Sequence, residues 1–136
     1  MQNHEVKIFR ILFVVAAIWN LIGTVFGYFN TAYTFAGFFD RALTDPLFYA
    51  IYKGSWGTTF VYFFGYLIVA YRPLKHSGIV IVGGIGKVGF LITLVKLYLA
   101  GLANAYVFIV IVGDTIFALL FIYYFWRLYR SQTGII

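Results

Sequence analysis

The sequence predicts an all-α integral membrane protein: four transmembrane helices in an antiparallel bundle, with an interfacial or re-entrant element between helices 1 and 2. Three observations lead there. Of the 136 residues, 63% are hydrophobic and only 10% charged, less than half the share of about 25% found in a soluble domain. Four apolar stretches, each long enough for a hydrocarbon layer, follow one another along a single transmembrane domain covering residues 1–136. The charged residues gather mostly at the ends of those stretches. A water-soluble globule of this size would leave large apolar patches exposed and would aggregate.

The first span is read over residues 9–29. Lys7 and Arg10 give it a basic start, as in a signal peptide, but its apolar run is too long for one and no small-x-small cleavage site follows. Residues 30–54 form the long connection. It is too aromatic for a solvated loop, and Asp40, Arg41, Asp45 and Pro46 interrupt it too often for a span. It is expected at the outer end of the bundle, either as an aromatic anchor or as a lid. The second span is read over 55–71, the third over 77–102 and the fourth over 104–126. Short connections make spans two, three and four antiparallel neighbours.

Charge sets the expected orientation. Lys7, Arg10, Arg72, Lys75, Arg127 and Arg130 fall on the side that holds both termini. The opposite side has Arg41 and Lys53, balanced by Asp40 and Asp45. The positive-inside rule then places the protein in the cell (inner) membrane with both termini cytoplasmic. The net charge of +6 reads as topology and contact with lipid headgroups, not as a nucleic-acid surface, because no basic cluster is present. The absence of cysteine removes disulfides, thiolate metal sites and Cys nucleophiles. His4 and His76, the two histidines, are too few for a metal cage, so no metal or other cofactor is expected.

Depth along each span can be counted at about 1.5 Å per residue. Four helices then bring a polar group to one level near the middle: Asn20, Tyr66, Lys87 and Asp114. A lone charge there costs about 2.5–3.5 kcal/mol, so Lys87 and Asp114, on sequential antiparallel helices, are expected to pair. Asn20 and the Tyr66 hydroxyl are expected to satisfy the remaining donors and acceptors. The cluster has two readings, a register-fixing buried ion pair or the polar floor of a ligand cavity. Lys96 lies nearer the outer interface and is expected to snorkel toward Asp40 or Asp45. Trp56, Tyr71, Tyr98, Tyr106, Trp126 and Tyr129 read as an interfacial belt. Trp19, Phe60, Phe63, Phe64, Phe90 and Phe117 lie deeper. Gly23 and Gly27 have the spacing of a helix-packing face and are expected to be exposed for a homo-oligomer or partner.

No catalytic constellation falls at matching depth, and the Gly83–Gly89 run GGIGKVG lacks the spacing of a phosphate loop. The chain is therefore read as non-enzymatic. The run Gly65–Ala70, the segment Arg72–Val80, the stretch Gly83–Lys87, and Gly113-Asp114 followed by Phe117–Phe121 resemble a widespread set of small bacterial four-span membrane proteins that carries no transferable activity. The similarity covers roughly residues 10–127, and more remotely it extends to the DoxX-like group. The resemblance implies a bundle with a central cavity for a hydrophobic molecule. The expected function is a module that binds or passes a small hydrophobic or amphipathic molecule. The alternatives are an oligomeric ion or proton conduit and an accessory subunit of a larger membrane complex.

Overall fold

The computed structural model describes residues 1–133. They form five helices, with no strand among them: α1 (Asn3–Gly27), α2 (Thr31–Phe39), α3 (Pro46–Tyr71), α4 (Ser77–Leu99) and α5 (Val107–Thr133). The segment Asn3–Gly27, helix α4 and the segment Val107–Ser131 are each long and apolar enough to cross a membrane. Their outward faces carry isoleucine, valine and leucine, among them Ile11, Ile18, Ile85 and Ile116, where a soluble helix would turn polar. Helix α3, at 26 residues, is ample in length but less apolar, because Ser55, Thr58, Thr59 and several tyrosines dilute it.

Three helix starts differ from the sequence reading, the first being α1, which begins at Asn3 and not at residue 9. Helix α3 begins at Pro46, well before residue 55. Asp45 and Pro46, read as interruptions, are its cap and first residue: the Asp45 carboxylate accepts from the N–H groups of Leu47 at 2.8 Å and Phe48 at 3.1 Å, and proline at the first position gives up an N–H that has no partner anyway. Helix α5 begins at Val107, since residues 100–106 form the turn. The long connection is not a loop but contains α2, which ends on Asp40 in the left-handed conformation (φ 53°).

Packing is uneven. Helix α1 lies close along α3 and α4 along α5, each pair antiparallel, while α3 and α4 touch little. Small residues explain the first contact. A Cβ at Gly27 would collide with the Trp56 indole, and one at Gly23 would crowd Thr59 at 3.3 Å. The Gly23/Gly27 notch is thus filled from within the chain, a correction to its reading as an exposed oligomer face. Trp56 is buried there instead of joining an interfacial belt.

Both ends of the chain meet. The Met1 ammonium donates to Ser131 Oγ at 2.7 Å, and Glu5 pairs with Arg127. At this end Phe13, Tyr66, Phe121 and Tyr124 pack ring against ring, with centroids 5.0–6.4 Å apart. At the opposite end Leu94, Val107 and Ile111 pack with Phe38 and Phe39 of α2. The polar groups lie between these two apolar layers.

Candidate functional site

The site is built at the level that depth counting picks out. Lys87 Nζ donates to Asp114 Oδ1 at 3.1 Å and to Asn20 Oδ1 at 3.0 Å. The side chains are buried, with Asn20 and Asp114 5% and Lys87 8% exposed. Asn20 in turn donates through Nδ2 to the Thr59 carbonyl at 3.1 Å, so the network ties α1, α3, α4 and α5 together. The ammonium also faces two rings, Phe117 at 5.4 Å and Tyr66 at 5.7 Å from their centroids, which favours the cation further.

Tyr66 arrives at the expected depth but not in the expected role. Its hydroxyl makes no hydrogen bond within the described residues and points at Gly83, where any Cβ would strike it. It contributes a ring face, not a donor, to Lys87. The residue missed is Trp19. Its indole N–H donates to Asp114 Oδ1 at 3.0 Å, and the ring lies over Gly113, which has no side chain to obstruct it. A glycine next to a buried acid is the signal that could have revealed it. Lys96 is exposed and pairs with neither Asp40 nor Asp45: among the described residues the ion pairs are Lys87–Asp114 and Arg127–Glu5.

Above this network lies a cavity of about 900 Å³, near the top of the range of about 300–1,000 Å³ for small-molecule pockets. It occupies the gap between the α1–α3 and α4–α5 pairs. Asn20, Tyr66, Lys87 and Asp114 all border it. One wall is hydroxylic: Ser55, Thr58, Thr59, Tyr62 and Tyr66 recur at three- and four-residue steps on α3, so they share a face. Apolar lining comes from Ile22 and Phe26 of α1, Phe90 of α4 and Ile109 and Val110 of α5.

Helix α2 closes the far end with Tyr33, Thr34 and Phe38. It is tied to both helix pairs. Thr34 donates to the Phe26 carbonyl of α1, and Asn104, in the turn before α5, donates through its backbone N–H to the Phe38 carbonyl at 2.8 Å. The Asn104 side chain adds bonds to the Gly37 carbonyl at 2.6 Å and Asp40 Oδ1 at 3.1 Å. These satisfy carbonyls that a helix C-terminus leaves open. Of the deep aromatics, Trp19 and Phe90 border the cavity, while Phe60, Phe63, Phe64 and Phe117 do not. Among the described residues no cluster of His, Cys, Asp and Glu could hold a metal.

Comparison of the chain with protein-family models, curated proteins and solved structures finds no match.

Proposed function

We propose that this chain is a non-enzymatic membrane module that holds a small hydrophobic or amphipathic molecule between its two helix pairs. In this reading α3 crosses the bilayer with α1, α4 and α5, giving four spans. Both termini lie on the cytoplasmic side of a cell (inner) membrane, as the basic residues near them favour. The outward isoleucines and valines meet acyl chains. The observation that carries the reading is the cavity itself: about 900 Å³, partly apolar in its lining, with a paired lysine and aspartate at its floor. A structural ion pair alone needs no such space, since a dry, packed centre would hold it equally well.

Binding is favoured over conduction. Beneath the floor the rings of Phe13, Tyr66, Phe121 and Tyr124 are packed with almost no exposure, so an ion would meet an aromatic layer where a path should continue. Gly86 borders the cavity, and a Cβ there meets nothing within 4 Å. Gly86→Phe therefore adds bulk at the cavity border with no clash at its Cβ. Native mass spectrometry of protein released from mild detergent is expected to show a retained small molecule on the wild type and none on Gly86→Phe. A wild type that emerges bare at every activation energy would remove the reading.

A further inference from the structure

The floor of the cavity has hydrogen-bonding capacity left over. Lys87 has three N–H donors, of which Asn20 and Asp114 take two. Asp114 Oδ1 accepts from both Lys87 and Trp19, whereas Asp114 Oδ2 accepts from no described residue and is not sealed off. The Tyr66 hydroxyl, on a residue only 1% exposed, has no hydrogen-bond partner among the described residues, and neither does that of Tyr62 one turn away on the same helix. Polar groups at this depth are costly unless met. Among the described residues, Lys87 and Asp114 are also the only Lys, Arg, His, Asp or Glu bordering the cavity, and their charges cancel.

Resting on the reading of this cavity as a ligand site, we infer that its occupant is an uncharged amphiphile whose head both donates and accepts hydrogen bonds, as an alcohol does. The head sits on Asp114 Oδ2, the third Lys87 N–H and the Tyr66 hydroxyl. The apolar part lies along Ile22, Phe26, Ile109 and Val110. A carboxylate head cannot donate to Asp114 and sets a second negative charge beside it. An ammonium head crowds Lys87. An ether accepts from Lys87 but leaves Asp114 Oδ2 unmet.

The test uses Trp fluorescence. Trp19 and Trp56 border the cavity and Trp126 does not, so Trp126→Phe leaves two reporters on its wall. This protein, in discs of phosphatidylcholine, is titrated with dibromostearyl alcohol, its methyl ether, dibromostearate and dibromostearylamine. Quenching is referred to the mole fraction of probe in the disc. Saturable quenching by the alcohol is expected at an affinity about tenfold or more above the other three, the discrimination typical of a site whose buried polar groups go unpaired with the wrong ligand. In Asp114→Asn, which leaves Lys87 without its counter-ion, dibromostearate is expected to gain on the alcohol by about tenfold. If the alcohol and its ether bind equally, or the carboxylate binds tightest to the protein with Asp114 intact, the inference is overturned and the site remains. If none of the four quenches saturably, the site reading beneath it falls. Should Asp114→Asn fail to fold, the ranking with Asp114 intact decides alone.

Discussion

Replacing Lys87 with methionine probes the network most directly. The substitution keeps most of the side chain's apolar stem and removes one charge and two charge-assisted hydrogen bonds, to Asn20 at 3.0 Å and Asp114 at 3.1 Å. Each such bond contributes about 1.5–3 kcal/mol. Against that, the lysine no longer has to be desolvated, which returns part of the loss. Asp114 keeps only the Trp19 N–H and stands as an uncompensated charge, and breaking a buried pair in this way costs about 3–5 kcal/mol in soluble proteins. The net expectation is a loss of roughly 3 kcal/mol, or a fall of about 10 °C in melting temperature for a chain of this size. Lys96→Met, on the exposed face of the same helix, is the control and should move the melt by less than about 2 °C. Fluorescence-detected melts in mild detergent measure both. The double variant Lys87→Met, Asp114→Leu removes the stranded charge and should recover more than half of the loss. Equal effects at Lys87 and Lys96, or a double variant no better than the single, would refute the electrostatic account of the site.

Four other substitutions separate packing from charge. Gly27→Val drives a side chain into the Trp56 indole and should cost about 1–3 kcal/mol by overpacking, whereas Gly54→Ala, with nothing within 4 Å of the added Cβ, should be neutral or stabilising by up to about 1 kcal/mol; the same melts decide. Trp19→Phe takes away a donor to Asp114 Oδ1 and should lower stability by about 1–2 kcal/mol, a loss that is expected to shrink in the Asp114→Leu background if the hydrogen bond is its source. Asp45→Ala removes the cap on Leu47 and Phe48 and should cost about 1 kcal/mol, with amide exchange accelerating in the first turn of α3 and not at Tyr66.

Depth counting located Asn20, Lys87 and Asp114 because a charge inside an apolar helix has few ways to be satisfied. Their meeting follows from helix order and rise per residue. What the counting could not supply was direction around each helix. Trp19 and Asn20 differ by one position, yet both reach the network, since the long indole extends over Gly113 to Asp114 while the asparagine accepts from Lys87. Tyr66 sits at the right height with its hydroxyl directed at Gly83. Gly23 and Gly27 were legible as a packing face, but spacing does not say which helix uses it, and Trp56 of the same chain does. The start of α3 was legible in Asp45-Pro46 as a cap and first residue, and was masked by treating a charge and a proline as breaks in a span. The cavity depends on two tight helix pairs standing apart, which no single helix encodes.

The contacts of Met1 with Ser131 and of Glu5 with Arg127 fasten the first turn of the fold to its last. Anything grafted ahead of Met1 and anything grafted after Ser131 therefore emerges side by side. The two halves of a split fluorescent reporter, one at each graft point, would find each other inside a single copy, and their glow would report an intact fold rather than an encounter between molecules.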